Sequence, residues 1–122
     1  GWPDCAVENV TLTNIRISTT GGTPAAESPA VVPECEGDYP ENRMFGFTLP
    51  ASGLWARHVT GLVIENVRFG ARNPDARPDV VLQDVSGAEL SRFRNETGPG
   101  AVTLRTDSCQ RISCDRSLVL LH

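Results

Sequence analysis

The stretch VTGLVIENVRF, residues 59–69, decides the fold, because three similar stretches occur elsewhere in the chain. VENVTLTNIRI begins at Val7, VSGAELSRFRN at Val85 and CQRISCDRSLV at Cys109. In each copy, mostly apolar or small residues stand at the first position and three, five, eight and ten places further on. The starts lie 52, 26 and 24 residues apart, and 52 is twice 26. Self-similarity at this period is typical of a solenoid.

The residues within each copy indicate strands. They are rich in β-branched side chains and alternate between apolar and polar, whereas no segment shows a helical period. Turn residues separate the strands, as in the Pro-containing segment 73–78 and in 97–100. Parallel crossovers within a sheet are almost always right-handed. The sequence therefore predicts an all-β fold, a right-handed parallel β-helix of about four coils.

The shared register predicts which side chains face the interior. The predicted inward residues are Val10, Leu12, Ile15, Leu62, Ile64, Val67, Val85, Leu90, Ile112 and Cys114. A register shift of one residue would turn all of them outward. Four cysteines permit three pairings. Since Cys109 and Cys114 take inward positions, we expect buried thiols in the core rather than a zinc site, whose ligand spacing differs.

A long segment, residues 18–53, separates the first two copies. It contains five of the nine prolines and an acidic cluster made of Glu34, Glu36, Asp38 and Glu41. Its apolar side chains would be unusual in a disordered linker. We therefore expect one domain, residues 1–122, in which this insertion packs along the coil as an ordered loop. Tyr39, Phe45 and Phe47 are the predicted anchors, with Trp55 beneath them.

Composition excludes some partners. A net charge of −4 and a pI near 5.1 argue against a nucleic-acid phosphate grip. No apolar run is long enough to span a membrane. A stub of about four coils would expose unpaired backbone at both ends, so we expect the chain to stack on upstream β-helix coils as part of a longer solenoid. The compartment stays open, with a secreted or periplasmic parent among the options.

Short motifs form a further pattern in residues 1–93. They are Tyr39-Pro40-Glu41, Phe45-Gly46, Leu49-Pro50-Ala51, Arg57-His58-Val59 and Asp75-Ala76-Arg77-Pro78. Together they resemble the C-terminal coils of bacterial glycoside hydrolase family 28-like proteins, the polygalacturonase group. The resemblance implies a right-handed parallel β-helix that acts on pectin-type, uronic-acid-rich glycans by inverting hydrolysis. The family's Asn-Thr-Asp, Asp-Asp, Gly-His-Gly and Arg-Ile-Lys motifs are absent from this sequence. Catalytic aspartates are therefore expected upstream, or the chemistry has been lost.

Candidate substrate-binding side chains lie on the insertion and on the strand after it. They are Tyr39, Glu41, Arg43, Trp55, Arg57 and His58. An outward Arg57 would pair with a sugar carboxylate, and Trp55 would stack on a sugar ring. The alternative, which we favour, is a surface arginine and a tryptophan covered by the insertion.

The acidic cluster has three interpretations. Inverting glycosidases need two carboxyl groups roughly 6.5–9.5 Å apart, and calcium also takes carboxylate oxygens. We favour the third, a solvated acidic loop, and predict no catalytic residue, metal or cofactor within this chain.

Two functions remain open. The first is the C-terminal part of a pectin-type glycoside hydrolase, which supplies end coils and one wall of the groove for an acidic polysaccharide. The alternative is a non-catalytic β-helix module for glycan binding or structural use. In both cases we expect the isolated chain to be inactive on polygalacturonan.

Overall fold

The computed structural model describes residues 1–24, 32–35, 37 and 48–121. These residues form six strands and no helix. The strands are β1 (Val7–Gly21), β2 (Leu54–Asn73), β3 (Val80–Asn95), β4 (Val102–Asp107), β5 (Gln110–Cys114) and β6 (Leu118–Leu120). In this part of the chain there is accordingly no helix that could cross a membrane.

All six strands belong to one sheet, and every strand pair is parallel. The order is β1-β2-β3-β4-β6, and β5 pairs with β3. Val10 is opposite Leu62, Leu62 is opposite Ala88, and Ala88 is opposite Ile112. The four sequence copies therefore lie side by side at equivalent positions, which confirms the predicted all-β class with parallel strands.

Single left-handed residues interrupt the long strands at equivalent places. They are Asn9 and Asn14 in β1, His58, Gly61 and Asn66 in β2, Asp84, Gly87 and Arg92 in β3, and Ser108 and Arg111 further on. The β2–β3 register passes over the three β2 residues. Inward side chains are two apart along extended backbone but three apart across such a residue, as from Ile64 to Val67 across Asn66. This explains the alternating steps of three and two in the sequence.

The interior consists of aligned apolar side chains from successive strands. Ile64, Val67, Leu82 and Leu104 are fully buried. The rings of Phe69 and Phe93 stack with their centroids 6.1 Å apart. Burying one such aliphatic side chain contributes roughly 1.5–3 kcal/mol, so the repeated inward positions are the main source of stability.

Nine of the ten predicted inward residues belong to this core. Leu62, Ile64, Val67, Val85 and Leu90 are buried, while Val10, Leu12, Ile15 and Ile112 are partly buried and pack against them. The prediction is wrong for Cys114, which is exposed. Cys114 is opposite Leu90, but β5 pairs with β3 alone among the described strands, so no further strand covers it.

Cys109 is partly buried against the core, and its thiol donates to the carbonyl of Leu82 over 3.3 Å. The expected pair of buried thiols is therefore correct only in part.

The insertion differs from the prediction at its start, because β1 continues to Gly21. Beyond it, Val32, Pro50 and Ala51 are buried. The amides of Ser52 and Gly53 donate to the carbonyls of Pro78 and Asp79. The predicted anchors Tyr39, Phe45 and Phe47 lie outside the described residues.

Candidate functional site

His58 is the buried polar residue around which a cluster of charged groups forms. It stands on β2 in the left-handed conformation (φ 59°), and its exposed fraction is 7%. Asp84 on β3 (φ 50°) and Ser108 (φ 55°) take the same conformation 26 and 24 residues further on. Residues such as His and Asp are enriched among left-handed positions. The repeat therefore stacks three polar side chains in one column.

Both ring nitrogens of His58 contact carboxylates. Nδ1 lies 2.6 Å from Oδ2 of Asp84, and Nε2 lies 2.7 Å from Oε1 of Glu34. An ionised carboxylate only accepts hydrogen bonds, and an imidazole ring donates from both nitrogens only when it carries two protons. The arrangement therefore fits an imidazolium held between two carboxylates. We call Glu34, His58 and Asp84 the histidine clamp.

Arg57 fastens the segment 32–35 to β2. Its guanidinium donates to the carbonyls of Val32 (2.6 Å) and Pro33 (3.0 Å), and it lies 3.4 Å from Oε2 of Glu34. It also covers the Trp55 ring at 4.7 Å from the ring centroid, a contact worth roughly 0.5–2 kcal/mol. Only 12% of the Arg57 side chain is exposed. Arg57 therefore acts first as a connector within the protein.

An open groove of about 220 Å³ borders the clamp. Its lining consists of Val32, Glu34, Arg57, His58, Gln83, Asp84, Asp107 and Ser108. Gln83 accepts a hydrogen bond of 2.7 Å from Nε1 of Trp55. The groove is smaller than the 300–1,000 Å³ usual for ligand pockets, so it is a partial wall rather than an enclosed active site.

The Asp75-Ala76-Arg77-Pro78 motif forms a second ionic cluster. Nε and Nη2 of Arg77 each lie 2.9 Å from a carboxylate oxygen of Asp75, and Nη1 donates to the carbonyl of Leu49. The amide of Thr23 also donates to Asp75. Hydrogen bonding from the Arg77 side chain lowers the pKa of Asp75 to about 2. The motif therefore joins three segments of chain, which is a structural role.

The structure brings together three of the six candidate residues, Trp55, Arg57 and His58. Tyr39, Glu41 and Arg43 lie outside the described residues, as do Glu36 and Asp38 of the acidic cluster. In the described ranges, no three His, Cys, Asp or Glu side chains are arranged to hold a metal ion.

Sequence reasoning missed Gln83, Asp84 and Ser108. The available signal was the repeat itself, since Asp84 and Ser108 stand at the positions equivalent to His58.

Comparisons with protein families, with curated proteins and with solved structures found no match to this chain. The argument for a function consequently depends on the motifs of the sequence and on the geometry of the site.

Proposed function

We propose that this chain forms end coils of a right-handed parallel β-helix and one wall of the substrate groove of a pectin-type polysaccharide-active glycoside hydrolase. The catalytic aspartates then lie on coils upstream of the chain. The proposal is supported by the motifs that resemble the polygalacturonase group and by the parallel alignment of four sequence copies.

The alignment is the observation that carries the proposal. Inward residues occupy equivalent places from Val10 through Leu62 and Ala88 to Ile112. Single left-handed residues stand between the inward positions. A chain that repeats this pattern every twenty-odd residues stacks each turn on the previous one, and a right-handed crossover is the expected sense.

Further coils are expected to stack on β1. Val7 is exposed, and Val10, Leu12 and Ile15 are only partly buried, although their partners on β2 are buried. An uncovered parallel edge with apolar side chains is a surface that proteins usually cover. An upstream coil in the same register would bury it.

The groove beside the clamp suits hydroxyl-rich ligands. Gln83 and Ser108 supply an amide and a hydroxyl, Asp84 and Asp107 supply acceptors, and Trp55 lies beside Gln83 with its ring partly buried. A few polar groups around a flat apolar surface are typical of sites that orient a ligand.

The clamp itself does not suit the chemistry of an inverting glycosidase. Such an enzyme holds two carboxyl groups on either side of the sugar and leaves space for a water. Here the imidazole of His58 occupies the space between Glu34 and Asp84. This arrangement favours a wall and leaves the catalytic pair to other coils.

A non-catalytic β-helix module is the alternative. The observation that favours it is that His58 and Arg57 donate their hydrogen bonds to Glu34, Asp84 and the segment 32–35. Side chains engaged in this way hold the protein together and need no substrate to explain them.

The test uses the full-length protein that contains this chain. Its reading frame should encode upstream coils with Asp-Asp and Gly-His-Gly motifs, and it should hydrolyse polygalacturonate. Gln83→Ala and Ser108→Ala should raise KM by about threefold with kcat unchanged, since they remove uniform binding. The matched control is Ser113→Ala on β5, outside the groove. Absence of turnover would favour the non-catalytic module, and an unchanged KM would disprove the groove wall.

A further inference from the structure

Three arginines stand at equivalent positions on neighbouring strands. Arg16 on β1 is opposite Arg68 on β2, and Arg68 is opposite Arg94 on β3. They alternate with inward apolar residues and are exposed, with 71% of the Arg16 side chain and 52% of the Arg68 side chain accessible. Adjacent strands lie about 4.7–4.9 Å apart. We call this column the arginine ladder, and none of its members lines the groove beside the clamp.

A column of like charges is unfavourable by itself, and the protein places a carboxylate against it. Glu96 reaches two rungs at once, with Oε2 at 2.9 Å from Nε of Arg16 and Oε1 at 3.7 Å from Nη1 of Arg68. The gap between two adjacent rungs therefore has the size and donors to seat one carboxylate.

The next gap, between Arg68 and Arg94, repeats the same register. Among the residues that the structure describes, no acidic side chain forms an ion pair with Arg94. A guanidinium presents its donors in a planar fork that matches a carboxylate. This gap is consequently open to a carboxylate from outside the protein.

Polar side chains extend the surface beside the ladder. The amide of Asn66 donates to Oδ1 of Asn14 over 2.7 Å, and both asparagines border a shallow depression of about 250 Å³ with Arg16 and Arg68. Amide groups of this kind hydrogen-bond hydroxyls as well as each other.

We propose that the arginine ladder binds an extended polyuronate that runs across the strands, with sugar carboxylates seated between successive rungs. A polyuronate carries one carboxylate on each sugar, and a hexose unit is close in length to the strand spacing. An acidic peptide fits less well, because its side chains recur on one face only every 6.6–6.8 Å or so. The inference does not require the proposed groove wall.

Nucleic acid is the less suitable polyanion. Binding of single strands relies on aromatic side chains on which bases stack, whereas the outward residues around the ladder are Thr13, Asn14, Glu65, Asn66, Ser91 and Arg92. The net charge of −4 also opposes a densely charged phosphate backbone.

The first experiment measures binding of a fluorescent oligogalacturonide to the 122-residue chain at low ionic strength. We expect the double variant Arg68→Gln, Arg94→Gln to bind about tenfold more weakly, since an exposed charge contact is worth about threefold. The matched control, Arg105→Gln with Arg111→Gln, removes the same charge from β4 and β5 and should change the affinity less than about twofold. Absence of binding by the unaltered chain, or equal losses in both double variants, would overturn the proposal.

The second experiment frees the first gap and exchanges the ligand. Glu96→Gln should strengthen binding by about threefold, because it removes the carboxylate that occupies the rungs of Arg16 and Arg68. A fully methyl-esterified oligomer should not bind. Equal binding of that ester, tighter binding of single-stranded DNA or polyglutamate, or weaker binding by Glu96→Gln would overturn the assignment. Gln83→Ala should leave this affinity unchanged, which separates the ladder from the groove.

Discussion

At the scale of single residues, charged side chains act mainly as connectors between distant segments. His58 links β3 to the segment around Glu34 through both ring nitrogens. Asp75 and Arg77 link the chain near Thr23 to the carbonyl of Leu49. Both clusters are largely shielded from water, and there hydrogen bonds to charged groups are worth about 1.5–3 kcal/mol. These few positions therefore carry more stability than the exposed ion pairs.

His58→Asn tests the clamp without changing the backbone preference. Asparagine also adopts the left-handed conformation, but its side chain is too short to reach Asp84 and Glu34 together. We expect the free energy of unfolding to fall by about 2 kcal/mol in urea denaturation. Asn66→His is the matched control, since it exchanges the same residue types at an equivalent left-handed position outside the clamp. A loss below about 0.5 kcal/mol for His58→Asn would show that the clamp contributes little.

Asp75 predicts a dependence of stability on acid. Its folded pKa of about 2 lies below the ordinary value of 3.8, so its contribution is fully present above about pH 4 and disappears as the pH falls towards 2. The shift corresponds to about 2 kcal/mol. Asp75→Asn should therefore lower the unfolding free energy by about that amount at pH 7 and hardly at all at pH 2.

The control for Asp75→Asn is Glu89→Gln, which removes an exposed carboxyl group of β3. Glu89→Gln should leave the unfolding free energy within about 0.5 kcal/mol at both pH values. A loss for Asp75→Asn that is equally large at pH 2 would contradict the electrostatic explanation.

At the scale of elements, single left-handed residues divide each long strand into short extended pieces. The column of Asn9, Gly61, Gly87 and Arg111 is one example, and the column of Asn14, Asn66 and Arg92 is another. Because the side-chain period changes from two to three at each such residue, the apolar residues stay inward on both sides of it. The backbone conformation at these few positions therefore determines whether the whole strand can bury its apolar side chains.

Gly87→Ala measures the cost of one such position. Gly87 has φ of 78°, and a Cβ atom would meet no atom closer than 3.9 Å, so the effect is conformational rather than steric. We expect a loss of about 1–2 kcal/mol in unfolding free energy, with a smaller loss for Gly87→Asn because asparagine tolerates this region. Gly100→Ala, where a Cβ atom would meet nothing within 4 Å, should cost little. Equal stability of the Gly87→Ala and Gly100→Ala variants would refute the argument.

At the scale of the whole molecule, the described strands form a stack with a buried middle and uncovered ends. Residues on β2 and β3 are buried, whereas Val7 on β1 and Val119 and Leu120 on β6 are exposed. The groove beside the clamp and the arginine ladder both run across several strands, so each depends on the stacking order. A ligand that crosses the strands contacts residues that are distant in sequence.

The isolated chain should not hydrolyse polygalacturonate. The motifs that carry catalysis in the resembling family are absent, and the clamp fills the space between its own carboxylates. Release of reducing ends by the purified chain should equal the background rate. Turnover well above it that is abolished by Glu34→Gln, Glu36→Gln or Glu41→Gln would place an active site in the insertion.

The sequence by itself determined the parallel alignment and most of the inward residues. The apolar pattern is local and occurs four times, so its period indicates both the strands and their mutual register. The same offsets could have indicated the column of His58, Asp84 and Ser108, since equivalent positions in parallel repeats lie side by side. The pattern is informative because burial of apolar area dominates the folding free energy.

Only the tertiary structure decided the partners of the charged groups. Glu34 reaches His58 from the insertion, where no repeat fixes its position. The guanidinium of Arg57, which sequence reasoning left between a ligand site and a surface role, contacts backbone carbonyls of Val32 and Pro33. Cys114 has an inward register but is exposed, because burial depends on whether another strand lies over it. Hydrogen bonds and coverage are set by distances between remote segments, and a one-dimensional pattern contains no information about those distances.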